Sequence, residues 1–208
     1  MKLYTFPSAP SPQRVHLLLK EKGVEIPCEF VDMKNVAHLS DEYKAINARC
    51  TVPALVLDDG TVISEVVAIC HYLEALYPDV PMFGHDPKEK ALISEWDHRV
   101  ELECLLGIAD ALRNRGDAFK GRALPGALDF EQIPELVPRG IARIKGFFEI
   151  LDTQLANNRF VAGDTFSMAD ITAFVAVGFS RWVKVEVPAE LSNVHRWHQE
   201  VAKRPAFS

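Results

Sequence analysis

The sequence predicts a mixed α/β domain followed by an all-α one, and three stretches carry that expectation. Residues 51–69 (TVPALVLDDGTVISEVVAI) set two short β-branched runs, 54–57 and 61–63, around an Asp58-Asp59-Gly60 turn. That is the pattern of a hairpin feeding a helix. Beyond a Pro-, Gly- and Asp-rich linker at 78–87, the spacing changes: Leu92, Trp96, Val100, Cys104, Ile108 and Leu112 recur every four residues, as on a long amphipathic helix. Further on, Ser167 and Asp170 form an S-x-x-D capping box at the head of an apolar run.

Taken in order, residues 2–6 (KLYTF) read as a first strand, and a loop dense in Pro and Ser follows at 7–12. Val15, Leu18 and Leu19 have helical spacing within 13–22, with Ser11 as N-cap, Pro12 at the first helical position and Gly23 as the stop. Residues 28–32 (CEFVD) read as a second strand, so the chain opens with a β-α-β unit. A short helix, the hairpin and a helix through Tyr77 complete a mixed four-stranded sheet flanked by helices. Pro53 cannot donate to a ladder, which places it at the start of its strand and makes the bond before it a candidate for cis. Ser64-Glu65 precedes Val66, a helix start with an acidic residue in its first turn.

The second half reads as a helix over 88–115, a weakly patterned segment over 116–134, a helix over 138–155, an apolar helix after Asp170 and a last helix over 191–203. A structureless connection as long as 116–134 usually has a use or is mobile. Phe166 and Ile171 can staple the capped helix, and Asp164 can bond backbone N–H groups of the turn before it. Loss of the Ser167 cap should cost about 1 kcal/mol. The domains expected are 1–77, a linker 78–87, and 88–208.

With 208 residues, 48% hydrophobic and 25% charged, the composition is that of an ordinary globular protein. A net charge of −6 argues against nucleic acid or an anionic membrane as main partner. No apolar run approaches the roughly 20 residues of a membrane span, and the start lacks a signal-peptide pattern. Cys28, Cys50, Cys70 and Cys104 show neither CxxC nor zinc spacing. They read as reduced core thiols of a cytoplasmic protein.

Val52-Pro53 followed by Glu65 resembles the ligand-binding core of the soluble, cytosolic-type glutathione S-transferases. The stretch Arg159 to Ile171 resembles the capping motif of their helical domain. With one match in each half, the resemblance spans nearly the whole chain. It implies a thioredoxin-like N-terminal domain, a C-terminal α-helical bundle, and conjugation of the glutathione thiolate to small hydrophobic electrophiles in detoxification. It also implies a homodimer, with glutathione as co-substrate and no metal. The backbone around Thr51, Val52 and Pro53 would pair with the cysteinyl unit, and Glu65 would receive the γ-glutamyl ammonium. The family's serine after the acidic residue is replaced by Val66, whose backbone N–H could still hold the glutamyl carboxylate. His38, with Lys34 or Arg49 as helpers, matches a theta-like pattern of contacts to the glycyl carboxylate.

The chemistry needs a thiolate. A free thiol has a pKa near 8.5, and lowering it by about 2 units takes roughly 2.7 kcal/mol of preferential stabilisation. A hydroxyl donor and a helix N-terminus can supply it. The serine-type hydroxyl position falls on Pro10, with Ser11 adjacent and Ser8 two residues away. Ser11 is the candidate catalytic donor, and an N-cap role competes for its oxygen. Alternatively, Ala9-Pro10-Ser11-Pro12-Gln13-Arg14 resembles atypical fungal and bacterial relatives, in which helix-terminal N–H groups and a held water replace the side-chain donor. Leu105, Leu106, Ala109 and Arg113 are candidates for the electrophile pocket. His195 and His198 have i,i+3 spacing without a third ligand, which reads as an exposed helix face rather than a metal site. Two other functions compete: glutathione-dependent reduction of disulfides or peroxides, which relies on a first-loop cysteine absent here, and a non-catalytic protein-binding module.

Overall fold

The computed structural model describes residues 1–207. Its packing divides the chain into two units, one formed by Met1–Val80 with Leu124–Phe130, the other by Pro81–Ala123 and the chain from Glu131 onward.

The first unit is built on a four-stranded sheet of order β2-β1-β3-β4: β1 Lys2–Thr5, β2 Cys28–Phe30, β3 Ala54–Val56 and β4 Val62–Ile63. The β1–β2 pair is parallel and the other two pairs are antiparallel, the mixed sheet expected of a β-α-β unit joined to a hairpin. Helix α1 (Pro10–Glu21) makes the parallel crossover and packs with α3 (Val66–Leu76). Leu18, Ile69, Cys70 and Leu73 are fully buried between the sheet's helices. The short helix is α2 (Asp41–Ile46), capped by the Ser40 hydroxyl, which accepts from Tyr43 N–H. Gly23 takes φ +63° after α1, a left-handed stop that glycine enters without strain. The buried Lys22 ammonium pairs with Glu74 at 2.6 Å and donates to the Tyr77 and Val80 carbonyls, supplying partners at the end of α3 that the helix cannot.

Two expectations at helix starts are corrected. The N-cap of α1 is Ala9, not Ser11, which lies inside the first turn between Pro10 and Pro12. Both prolines suit an early helical position, and the chain uses the earlier one. Glu65 is the N-cap of α3 rather than a first-turn residue. Cys28 is exposed on the edge strand β2, whereas Cys50, Cys70 and Cys104 are buried.

The second unit is helical. Asp86 caps α4 (Pro87–Arg99) by accepting from Lys88 and Glu89 N–H at 2.7 and 2.9 Å. The helix does not run on as one regular α-helix. It passes through a π turn at Val100–Leu105 into α5 (Leu106–Arg113). A strict four-residue repeat drifts about 40° per step around an α-helix, and the wider π turn takes up that drift. Trp96, Val100, Cys104 and Ile108 consequently all stay buried. The Leu102 carbonyl within the π turn accepts from the Arg143 guanidinium.

Helix α6 (Leu136–Asn157) crosses α5 closely, and the apolar α7 (Met168–Ser180) is buried along most of its length. Helix α8 (Ser192–Ala202) starts against the Asp152 carboxylate, which accepts from Asn193 and Val194 N–H. Among the described residues, no helix is long and apolar enough to cross a membrane.

The capping box at Ser167 and Asp170 forms. The turn's N–H groups go to Asp170 rather than Asp164: its carboxylate accepts from Val161 N–H at 2.9 Å, Ser167 N–H at 3.0 Å and Trp197 Nε1 at 2.8 Å. Burial pushes this carboxyl up to about 6, with the bonds from Val161, Trp197 and Ser167 pulling the other way. The native state therefore holds the proton to higher pH than the unfolded chain does. The group's contribution to stability is fully present below about pH 4 and is lost as pH rises through about 6. Asp170→Asn should flatten the stability profile between about pH 4 and 6, and lower stability throughout by about 1–3 kcal/mol for donors left unmatched. Denaturant titrations at several pH values read both effects, and parallel profiles would contradict the titration.

Candidate functional site

The candidate site of the first unit is assembled from the turn after α2, the start of β3 and the start of α3. The Val52–Pro53 peptide is cis, and both residues are buried. The preceding Thr51 carbonyl accepts two side-chain bonds, from Tyr43 Oη at 2.7 Å and Asn47 Nδ2 at 2.8 Å. Its peptide is therefore fixed before any ligand arrives.

Glu65 stands at the head of α3 with extended backbone, and its side chain makes no capping bond. The carboxylate instead meets the Arg49 guanidinium at 3.0 Å, both side chains being about two-thirds exposed at 67% and 63%. The first-turn N–H groups of α3, from Val66 onward, begin beside this pair and have no side-chain cap. A helix start of this kind favours an anion, and the adjacent carboxylate favours a cation. An amino acid's ammonium and carboxylate, on one carbon, meet both requirements. Sequence reasoning placed Arg49 near a different carboxylate, the glycyl one; its observed partner is Glu65. The missed residues are Asn47 and Tyr43, whose role rests on contacts to a turn that no motif advertises.

Lys34 and His38 lie on the connection between β2 and α2, Lys34 exposed and His38 largely covered within the 3-10 turn Ala37–Leu39. Gly126, in the segment Leu124–Phe130, lies against the Arg49 carbonyl: a Cβ there would stand 3.7 Å from that oxygen. Its φ of +128° belongs to glycine.

At the start of α1 the sequence has an unusual consequence. Pro10 and Pro12 carry no N–H, Gln13 N–H bonds the Ala9 carbonyl at 3.1 Å, and Ala9 N–H bonds the Phe6 carbonyl at 2.9 Å. Ser11 is left as the one first-turn residue able to offer a backbone donor, beside its own hydroxyl. Ser11 is half-buried, and among the described contacts its hydroxyl takes a long 3.5 Å approach from Arg14 Nη2. The side-chain and helix-terminus alternatives thus converge on the same residue.

In the second unit, Leu106, Ala109 and Arg113 lie on one face of α5, with Leu106 exposed and Ala109 half-buried. The Arg113 guanidinium is engaged: it donates to the Ala123 and Arg122 carbonyls at 3.1 and 2.7 Å and lies 4.5 Å over the Phe119 ring. It anchors the chain after α5. Burial pushes its pKa down, and Arg122 adds to that. His195 and His198 are half-buried rather than exposed; His195 Nε2 meets the Pro188 carbonyl, and the His198 ring stacks on Phe174 at 4.5 Å. Among the described residues, no group of three or more His, Cys, Asp or Glu is placed to hold a metal.

Comparison with known proteins shows the family. Residues 9–76 match the family model "Glutathione S-transferase, N-terminal domain", and residues 119–205 match "Glutathione S-transferase, C-terminal domain". Glutathione S-transferase 2 of Saccharomyces cerevisiae is 34% identical over 99% of this chain and 87% of its own. The structure of a glutathione S-transferase domain-containing protein from Marinobacter aquaeolei superposes with a TM-score of 0.89 at 31% identity, over the full length of both chains. That of Gtt2 from Saccharomyces cerevisiae gives 0.87 at 32%, over all of this chain and 98% of its own. A small mixed-sheet domain with a cis proline before β3, an all-helical domain, and matches in both halves lead to one assignment: the chain belongs to the glutathione S-transferase superfamily of enzymes.

Proposed function

We propose that the protein binds glutathione on an N-terminal domain, residues 1–77, and conjugates the thiolate to small hydrophobic electrophiles. The observation that carries this reading is the pairing of a fixed Thr51–Val52–Pro53 segment with Glu65 at an uncapped helix start. The backbone at Val52 pairs with the cysteinyl unit, Glu65 takes the γ-glutamyl ammonium, and the N–H groups at Val66 take the glutamyl carboxylate. Arg49 keeps the Glu65 carboxylate in place, and His38 with Lys34 serves the glycyl end. Ser11, through its N–H and hydroxyl at the positive end of α1, stabilises the thiolate.

The thiol proton leaves to solvent. The sulfur lone pair then forms a C–S bond to the electrophilic carbon, and the departing pair leaves on the displaced group or on the acceptor. Leu106 and Ala109 supply apolar contact for the electrophile, and Arg113 holds the chain beside them. In this reading the protein works as a homodimer in the cytoplasm, in detoxification.

The Ser11 variants test the donor. Ser11→Ala removes one bond to the thiolate, worth about 1.5–3 kcal/mol, and keeps the backbone N–H. Conjugation at neutral pH should fall about ten- to a hundredfold and partly recover in alkali. Ser11→Pro, tolerated early in a helix, removes both donors and should fall further. A pH–rate profile of Ser11→Ala that overlays the parent's would rule out the hydroxyl, and unimpaired Ser11→Pro would remove Ser11 altogether. Retention of the parent on immobilised glutathione separates this reading from a non-catalytic module, which would flow through.

A further inference from the structure

We propose that Asn47 is the positioning residue of the glutathione cradle, aligning Arg49 and the Thr51–Val52 peptide through one buried side chain. The proposal rests on the glutathione reading above. Asn47 follows α2 and is only 4% exposed. Its Oδ1 accepts from Arg49 N–H at 3.1 Å, while Nδ2 donates to the Thr51 carbonyl at 2.8 Å and reaches Thr51 Oγ1 at 3.3 Å. Its own carbonyl accepts from Cys50 N–H at 2.9 Å, and its N–H bonds the Tyr43 carbonyl at 2.8 Å. Asn47 thus bonds Arg49, Cys50 and Thr51 of the turn.

The turn needs that closure. Cys50 sits at φ +55°, left-handed backbone that a residue with a side chain rarely adopts. On one side of it, Arg49 reaches Glu65; on the other, Thr51 leads into the cis Val52–Pro53 bond. These are the groups proposed to hold two different parts of the tripeptide, the γ-glutamyl end and the cysteinyl backbone. One side chain thus ties the backbone that carries Arg49 to the backbone that leads into Val52. Tyr43 shares the Thr51 carbonyl but makes no bond to Arg49 among the described contacts.

Asn47→Asp keeps an acceptor for Arg49 N–H but sets a carboxylate oxygen against the Thr51 carbonyl. Asn47→Ala removes both anchors. Tyr43→Phe removes the second bond to the same carbonyl within the cluster that packs Tyr43 against Val31 and Val52. The measurements are the glutathione dissociation constant by calorimetry, steady-state kinetics with a chlorodinitroarene as electrophile, and melting temperature.

Asn47→Asp should weaken glutathione binding about tenfold or more, and Asn47→Ala further, with kcat at saturating glutathione within about threefold of the parent. Tyr43→Phe should weaken binding by less than about threefold. A role confined to stability would make affinity follow melting temperature across the three variants, and that result overturns the proposal. So does parental affinity in Asn47→Asp. If Asn47→Ala does not fold, the Asp and Phe variants carry the comparison. Failure of the parent to bind glutathione would overturn the functional reading as well. Binding by the parent, lost in Glu65→Ala but intact in Asn47→Asp, overturns only this inference.

Discussion

Glu65→Ala is expected to weaken glutathione binding about 10- to 100-fold while shifting the melting temperature by no more than about 1–2 °C. The two halves of that expectation have separate causes. Glu65 is an N-cap whose side chain bonds no helix N–H, so its removal takes no cap away. Its pair with Arg49 is about two-thirds exposed on both sides, and exposed pairs contribute little to stability. Bound ligand changes the balance. An ammonium facing the carboxylate makes a charge-assisted bond partly shielded from water, worth about 1.5–3 kcal/mol. Calorimetry with the parent and variant measures the loss directly. A variant that binds glutathione normally reduces Glu65 to a surface residue at a helix start.

The second large effect lies where α5 crosses α6. At Gly140 a built Cβ would run into the Gly107 carbonyl oxygen, stand 2.9 Å from Ala111 N and 3.1 Å from Asp110 Cβ. At Gly107 it would stand 3.1 Å from the Gly140 carbonyl oxygen. Three of these four neighbours are backbone atoms, which cannot swing aside as a side-chain end can. Gly140→Ala must push the helices apart, at a cost of about 2–3 kcal/mol, or about 4–12 °C in melting temperature for a chain of this size. Gly146 offers the control on the same helix, because among the described residues nothing beyond its own stretch of helix would lie within 4 Å of a Cβ there. Gly146→Ala should stabilise by about 0.5–1 kcal/mol through helix propensity alone. Thermal melts of the two variants should move in opposite directions; a stabilised Gly140→Ala would show that the crossing has room.

Much of this architecture is local and therefore legible. The Asp-Gly turn between β-branched runs forms β3 and β4, and the Ser167–Asp170 box caps α7, because each depends on neighbours a few residues away. The four-residue repeat from Trp96 to Ile108 held the signal for the π turn, but it reads as an ordinary amphipathic stripe unless the 40° drift per step is followed through. At α1 two serine–proline and alanine–proline pairs competed for the helix start, and the preference for a hydroxyl cap pointed to the wrong one. The Gly107–Gly140 approach and the Asn47 turn gave no sequence signal. One brings together two glycines 33 residues apart in the chain, and the other depends on where a buried amide points. Val52, Pro53 and Glu65 came from resemblance; the geometry adds the Arg49 partner and the two donors on Thr51.

Bound glutathione is expected to carry an ionised sulfur, held by Ser11 at the start of α1. Ultraviolet titration of the thiolate in the binary complex measures this directly. The expected result is an apparent thiol pKa about 2 units below the free value near 8.5 in the parent, rising toward the free value in Ser11→Pro. A complex whose thiol titrates like free glutathione, or a Ser11→Pro complex indistinguishable from the parent, would contradict the account.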